Sequence, residues 1–149
     1  MNFKIIELEL MHLNACVDLD QKSLNGLWSK SQWEKELTDS KRICLGAIDH
    51  KTNKLLGLCC AWLLIDEIYI TSIAIYPSHQ RKGLGKMLLS ELVTHSRSIK
   101  TKQIYLEVKD TNESAKAFYK SMGFKIAGNR SNFYKDESNA IIFIKQLSK

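Results

Sequence analysis

The most informative stretch of the chain is Ser72-Ile73-Ala74-Ile75-Tyr76-Pro77-Ser78-His79-Gln80-Arg81-Lys82-Gly83-Leu84-Gly85-Lys86. Its first half continues a run of mostly β-branched and aromatic residues from Ile68 to Tyr76, which predicts a strand that ends at Pro77. Its second half begins a helix, because apolar residues then recur at helical spacing. That apolar stripe consists of Leu84, Met87, Leu88 and Leu92, and Glu91 interrupts it. The stretch therefore predicts a strand, a short loop and an amphipathic helix in direct succession.

The two glycines between this strand and this helix suit the binding of a phosphate group. Gly83 and Gly85 have no Cβ atom, so the backbone can approach a ligand closely. A helix N-terminus also presents free N–H groups and the positive end of the helix dipole. Positive side chains are added by Arg81, Lys82 and Lys86. The Walker pattern and the dinucleotide fingerprint are both missing, so glycines that serve only a tight turn remain an alternative at this point.

The remainder of the chain divides into short strands and helices. Strands are predicted at residues 3–8, 42–48, 55–65, 103–108, 124–127 and 140–144, and helices at residues 11–22, at residues 31–37 and from Asn112 to Gly123. Ser31 is the predicted cap of the second helix, with Glu34 three residues later. Residues 128–139 are predicted to form a long loop. This order predicts an α+β (mixed α/β) fold with a central sheet.

Composition limits the class of protein. The chain is 44% hydrophobic and 26% charged, and it has a single proline, no Gly/Ser-rich linker and no repeat. Residues 1–149 are therefore expected to form one globular domain. No apolar run approaches the roughly 18 residues of a membrane span, and Glu7 interrupts what would be the apolar core of a signal peptide. These features predict a cytoplasmic protein with no membrane partner.

The cysteines and histidines do not predict a metal site. The four cysteines fit no CxxC or zinc-ligand spacing, and the four histidines are scattered. Cys59 and Cys60 are adjacent in a predicted strand, so their side chains are expected on opposite faces of the sheet. Reduced, partly buried thiols are the prediction for all four cysteines.

The net charge of +6 is compatible with a polyanionic partner. The Lys and Arg residues form no dense block and are not interleaved with aromatic residues, so a solvated basic surface is favoured over direct binding of a nucleic acid. A basic entrance to a site for coenzyme A, itself a polyanion, is a further explanation.

Two segments together resemble the GNAT (Gcn5-related N-acetyltransferase) superfamily. The superfamily signature Gln/Arg-x-x-Gly-x-Gly/Ala is similar to Gln80-Arg81-Lys82-Gly83-Leu84-Gly85, and the later motif Asn-x-x-Ala-x-x-Phe/Leu-Tyr-x-x-x-Gly-Phe is similar to residues 112–124. The resemblance implies a central, mostly antiparallel sheet with one splayed parallel strand pair and about four helices. It also implies that acetyl-CoA is the cosubstrate, with no metal.

Within that superfamily the chain looks most like the bacterial RimI group, which acetylates the N-terminal alanine of a small-subunit ribosomal protein. The similar segments are Leu106-Glu107-Val108, a segment containing Trp28 and Trp33, and a loop, Arg130-Ser131-Asn132-Phe133-Tyr134. Ser131, Phe133 and Tyr76 depart from the residues expected there. The resemblance implies that Trp28 and Tyr134 contact the acceptor, and the departures leave the acceptor open.

The resemblance also implies a role for each site residue. The backbone of Ile73, Ala74 and Ile75 would pair with the pantetheine arm, and the loop of Arg81, Lys82, Gly83, Leu84, Gly85 and Lys86 would hold the pyrophosphate. Asn112 would contact the cofactor near its sulfur. Glu107 would be the general base and Tyr119 the general acid, in direct attack by the amine on the thioester. From the residues alone, Glu107 could equally be a solvent-facing edge residue and Tyr119 a core residue.

Several acceptors and roles remain open from the sequence. Deprotonation at pH 7 costs roughly 1–1.4 kcal/mol for an α-amine and about 4.6 kcal/mol for a lysine, which favours a protein N-terminus as acceptor. A small amine such as a polyamine, amino sugar or amino acid is the alternative. A non-catalytic acyl-CoA-binding module is a further alternative. The chain is expected to be a monomer or a weak homodimer.

Overall fold

The computed structural model describes residues 2–147, in which seven strands form one sheet and two α-helices cover each face. The strands are β1 (Phe3–Glu7), β2 (Arg42–Asp49), β3 (Leu55–Leu64), β4 (Glu67–Ile75), β5 (Gln103–Lys109), β6 (Lys125–Arg130) and β7 (Ala140–Gln146). The helices are α1 (Leu13–Ser23), α2 (Lys30–Thr38), α3 (Leu84–Ser98) and α4 (Glu113–Ser121). Short 3₁₀ turns cover Leu10–His12 and Pro77–His79.

The sheet has the strand order β1-β2-β3-β4-β5-β7-β6, and β4 and β5 are the parallel pair in an otherwise antiparallel sheet. Their ladder covers three residue pairs, which end at Tyr69 opposite Tyr105. Both strands continue beyond that point, so they separate and leave a gap. The predicted sheet, its splayed parallel pair and the four helices are confirmed.

A β-bulge lies where β4 leaves β5. Cys60 pairs with Ser72 and Ala61 pairs with Ile70, so Thr71 is the extra residue of β4. The Thr71 hydroxyl donates a hydrogen bond to the Cys60 carbonyl at 3.1 Å. A bulge bends its strand and increases the local twist, and this one accompanies the separation of β4 from β5.

Two apolar cores lie on the two faces of the sheet. Helices α3 and α4 cover one core, and α1 and α2 cover the other. Successive side chains of a strand point to opposite faces of the sheet and therefore enter different cores. The adjacent residues Cys59 and Cys60 belong to different cores, as predicted. All four cysteines are free and buried. Within residues 2–147, no three His, Cys, Asp or Glu side chains are arranged to hold a metal ion, and no helix is long and apolar enough to span a membrane.

Local details differ from the sequence prediction at three places. Helix α2 is capped by Ser29, which accepts from the Gln32 backbone while the Gln32 side chain accepts from the Ser29 N–H. The prediction of Ser31 as the cap was wrong because this reciprocal pair forms two residues earlier. Helix α1 begins at Leu13, after a 3₁₀ turn, and β6 extends to Arg130 because it pairs with β7 along its length.

The connection between α1 and α2 is organised by a buried carboxylate. Asp20 is 1% exposed. Its oxygens accept from the indole N–H of Trp33 at 2.7 Å, the Leu27 N–H at 2.7 Å and the Trp28 N–H at 3.0 Å. Three donors satisfy a charge that would otherwise be costly to bury, and they fix the backbone at Trp28.

Candidate functional site

A groove of about 630 Å³ lies between the end of β4, the loop that follows, the start of α3 and helix α4. Eight of the predicted cofactor residues line it, together with Tyr119: Ile73, Ile75, Arg81, Gly83, Leu84, Gly85, Lys86 and Asn112. Its other lining residues are His79, Gln80, Ser114, Ala115, Phe118, Ser121 and Met122. The apolar residues Ala115, Phe118 and Met122 show that this side of α4 forms part of the groove wall.

Two predicted cofactor residues do not line the groove. Ala74 is buried and packs in the core under α1 and α2, and its strand position pairs with Leu58 of β3. Lys82 has an exposed side chain that lies outside the lining. Strand alternation explains the first difference, because neighbours on one strand point to opposite faces.

The backbone of β4 beyond the bulge has one free edge. Because Tyr76 donates to Leu56 on the β3 side, alternation directs the polar groups of Ile73 and Ile75 toward the gap. The Ile75 carbonyl accepts from the Ser23 hydroxyl at 2.9 Å and from the Gln80 amide at 3.2 Å. The backbone of Ile73 is therefore the part of this edge that is best placed for an extended ligand chain.

The loop before α3 has the geometry of an anion site. Gly83 is the cap residue, with φ of 85°, and Arg81 also has a positive φ, of 63°. The N–H groups of Leu84, Gly85 and Lys86 begin the helix and have no intrahelical partner. A Cβ added at Gly85 would lie 3.5 Å from the Phe118 ring, on the side of the groove. Free donors, the helix dipole and flanking cations together suit a pyrophosphate.

Tyr119 lies at the inner wall of the groove and is 7% exposed. Its ring packs against Phe118, Phe124 and Phe143, with centroid distances of 5.1, 5.5 and 6.2 Å. Burial raises the pKa of Tyr119 well above its ordinary value, and the nearby Cys59 thiol adds to this. Its phenol is therefore a neutral hydrogen-bond donor at physiological pH. Asn112 caps α4 by accepting from the Ala115 N–H at 3.1 Å.

Glu107 lies on the opposite face of the sheet from Tyr119. It is in the interior strand β5, and its side chain is 7% exposed. The Tyr69 hydroxyl donates a hydrogen bond to Glu107 Oε1, and Arg130 Nη1 lies 3.9 Å from Oε2. Tyr119 belongs to the core under α3 and α4, on the side to which Leu106 and Val108 point. Neither Glu107 nor any other residue of β5 lines the groove.

An aromatic surface surrounds Glu107. Tyr69 stacks on Tyr105 with ring centroids 5.0 Å apart and meets Trp62 edge-on at 5.9 Å. Partial burial and then the negative charges of Glu107 and Asp110 raise the pKa of Tyr134. Sequence reasoning missed Tyr69, because its contact with Glu107 depends on how β4 and β5 pair.

Trp28, the other predicted acceptor residue, lies in the connection between α1 and α2. Its ring packs edge-on against Trp33 with centroids 4.8 Å apart, in the core under α1 and α2. It is half-buried, and neither Trp28 nor Tyr134 lines the groove.

Comparisons with known proteins agree with this geometry. The family model described as the acetyltransferase (GNAT) family matches residues 10–124. Over 130 residues the chain is 28% identical to the ribosomal protein bS18-alanine N-acetyltransferase of Escherichia coli K12, covering 87% of this chain and 86% of the relative. The crystal structure of the ribosomal-protein-S18-alanine N-acetyltransferase from Escherichia coli superposes with a TM-score of 0.90 at 27% identity, covering 99% of this chain and 96% of that one. Arabidopsis thaliana NAA60 in complex with acetyl-CoA has the same fold, with a TM-score of 0.87 at 16% identity over 98% of this chain and 99% of that one.

Proposed function

This chain belongs to the acetyltransferase (GNAT) family, and from that premise we propose that it acetylates the N-terminal α-amine of a protein. It is an acetyl-CoA-dependent N-acetyltransferase. The observation that carries the proposal is the gap between β4 and β5, with the groove and Tyr119 on one side and Glu107 on the other. The relative from Escherichia coli is named for the alanine of ribosomal protein bS18, and we propose an acceptor of that kind.

The proposed cofactor site follows the groove from the loop to the gap. The N–H groups at the start of α3, with Arg81 and Lys86, hold the pyrophosphate. The free backbone edge at Ile73 pairs with the pantetheine arm, and Asn112 closes the groove from α4. In this assignment Ala74 contributes no direct contact, and Lys82 contributes charge at the entrance.

Acetyl-CoA supplies the activated acetyl group, and two side chains of this chain move or hold protons. Glu107 takes the proton of the acceptor amine, directly or through a water molecule. Tyr119 donates a hydrogen bond to the departing sulfur. Because burial keeps its pKa above that of a thiol, near ~8.5, Tyr119 keeps its proton and stabilises the departing thiolate by this hydrogen bond. The nitrogen–carbon bond forms as the carbon–sulfur bond breaks, the amine proton passes to Glu107 and then to solvent, and coenzyme A leaves as a thiolate that takes its proton from solvent.

The charge and basicity of the acceptor support an N-terminal amine. Deprotonation at pH 7 costs about 1–1.4 kcal/mol for an α-amine and about 4.6 kcal/mol for a lysine. A single carboxylate base is therefore better matched to an α-amine. The rings of Phe133 and Tyr134, which pack edge-on with centroids 5.0 Å apart, are proposed to pack against the first side chains of a peptide. We assign Tyr134 to that contact directly, and Trp28 to the wall beyond it.

The cellular setting is part of the proposal. A ribosomal acceptor places the reaction in the cytoplasm, and four free buried thiols suit a reducing compartment. We propose that residues 1–149 act as one catalytic domain, as a monomer or a weak homodimer, with no direct contact to nucleic acid.

An acceptor panel tests the substrate class. The purified chain and acetyl-CoA are incubated with an alanine-initiated peptide, with the same peptide blocked at its N-terminus but carrying a lysine, and with polyamines and amino sugars. We expect the free α-amine to be acetylated fastest. Turnover of small amines alone would contradict the proposed acceptor.

Two substitutions test the catalytic roles. Glu107→Gln and Tyr119→Phe should each lower kcat by about 10²-fold or more, with the affinity for acetyl-CoA nearly unchanged. Glu91→Gln, on the exposed side of α3, is the matched control and should retain the wild-type rate. A wild-type rate in Glu107→Gln would remove Glu107 from the mechanism.

A further inference from the structure

We propose that Tyr69 is a positioning residue of the transfer reaction, which holds the Glu107 carboxylate where β4 and β5 separate. The inference rests on the proposed role of Glu107 as the base. It concerns a residue outside both sequence motifs, on the strand opposite Glu107. The contact that carries it is the hydrogen bond from the Tyr69 hydroxyl to Glu107 Oε1.

The position of Tyr69 in the sheet explains why it can reach this carboxylate. Tyr69 is the last residue of β4 that pairs with β5, and its partner is Tyr105. Glu107 lies two residues further along β5, so it shares the face of Tyr105. The two strands have parted by then, and no residue of β4 pairs with Glu107. The long side chain of Tyr69 spans the beginning of the gap and replaces the missing cross-strand neighbour.

The ring of Tyr69 is fixed on two sides. Tyr105 stacks on it at 5.0 Å with an interplanar angle of 29°, and Trp62 meets it edge-on at 5.9 Å. Trp62 is itself held, because its indole N–H donates to Glu36 at 2.9 Å and Arg42 lies 4.1 Å above its ring. A hydroxyl on a fixed ring is a pre-organised donor, which loses little freedom when it binds a carboxylate.

This contact gives the two oxygens of the Glu107 carboxylate different roles. Tyr69 occupies Oε1, whereas the nearest cation to Oε2 is the half-exposed Arg130, at 3.9 Å. Burial and then the hydrogen bond to Glu107 raise the pKa of Tyr69 well above its ordinary value, so the hydroxyl stays protonated and remains a donor. Oε2 is then the oxygen that is available to the amine proton, in a fixed orientation.

Tyr69→Phe removes the hydroxyl and keeps the ring, and Tyr105→Phe is its matched control. Tyr105 lies beside Tyr69 on the same face, but its hydroxyl makes no hydrogen bond to Glu107. We expect Tyr69→Phe to lower kcat on the order of tenfold, since hydrogen bonds to charged groups are among the stronger ones. The KM for acetyl-CoA should not change, and Tyr105→Phe should stay within about twofold of the wild type.

A double-mutant cycle separates positioning from a structural effect. If Tyr69 acts through Glu107, then adding Tyr69→Phe to Glu107→Gln should cause little further loss of kcat. A full additive loss in the double variant would overturn the inference, and so would a wild-type kcat in Tyr69→Phe when Glu107→Gln is slow. A wild-type kcat in Glu107→Gln would instead overturn the proposed base, so the two failures are distinguishable.

Discussion

Gly85→Ala should separate the stability of this protein from its affinity for acetyl-CoA. Gly85 is the second residue of α3, and an alanine Cβ there would meet only the Phe118 ring, at the ordinary contact distance of 3.5 Å. Alanine is favoured over glycine in a helix interior by about 1 kcal/mol, and by less in the first turn. The free energy of unfolding should therefore stay the same or rise by up to about 1 kcal/mol.

Binding should respond in the opposite direction. The new methyl group would enter the groove beside the start of α3, because Gly85 and the Phe118 ring that it would meet both line the groove. A phosphate kept out of hydrogen-bond distance loses charge-assisted contacts of roughly 1.5–3 kcal/mol each. Loss of one such contact predicts a Kd for acetyl-CoA that is about 10- to 150-fold higher. Urea denaturation and isothermal titration calorimetry measure the two quantities on one sample.

Gly83→Ala should differ from Gly85→Ala in its effect on the free energy of unfolding. No atom lies within 4 Å of its added Cβ, but its φ of 85° is in the left-handed region. That conformation costs about 1–2 kcal/mol for a residue with a side chain, so this variant should be less stable than the wild type. If Gly85→Ala also lost stability and bound acetyl-CoA normally, the two glycines would serve only the turn, and the assignment of the phosphate site would be refuted.

Three further predictions concern stability. Asp20→Ala leaves three buried or partly buried donors without an acceptor, so urea denaturation should show a loss of roughly 3 kcal/mol or more; an effect under about 1 kcal/mol would contradict the role given to Asp20. Gly46→Ala would bring a Cβ to 2.6 Å from Leu8 and 2.7 Å from Leu55, and thermal unfolding should show overpacking of about 1–3 kcal/mol. Burial raises the pKa of Cys16 and of Cys59 from 9.0 to about 12. Because these thiols ionise at a lower pH in the unfolded chain than in the folded one, the free energy of unfolding keeps their full contribution below pH 9 and decreases as the pH rises toward 12. At pH 10 the decrease is about 1.4 kcal/mol per thiol. Equilibrium unfolding between pH 8 and pH 11 measures that slope, and a flat profile would contradict it.

The local elements of the fold were predictable because their signals lie within a few residues. The strand before Pro77, the glycine-led start of α3 and the Asn112 cap of α4 all occur where the sequence indicated. In β5, Leu106 and Val108 are buried and Glu107 lies between them on the other face, as the alternation of side chains along a strand requires. The cap of α2 was misplaced because the sequence contains two overlapping capping-box patterns, Ser29 with Gln32 and Ser31 with Glu34, and the first of them forms.

The candidate site was predictable only where a motif is contiguous. Eight predicted cofactor residues line one groove because the loop and helices that carry them are local structures. Ala74 was assigned with its neighbours, yet strand alternation turns it into the opposite core. Trp28 was assigned from its segment, and its packing on Trp33 depends on Asp20 of another helix.

By itself, the sequence predicted an anion-binding loop at a helix start, for which local hydrogen bonding and side-chain periodicity are sufficient. The resemblance of this loop and of the segment from Asn112 to Phe124 to the GNAT superfamily then identified an acetyl-CoA-dependent enzyme. Only the tertiary structure decided what surrounds Glu107, because Tyr69 is 38 residues away along the chain and approaches through the register of a parallel strand pair. The bulge at Thr71 accompanies the opening of the gap between those strands, beyond which Glu107 has no paired neighbour on β4.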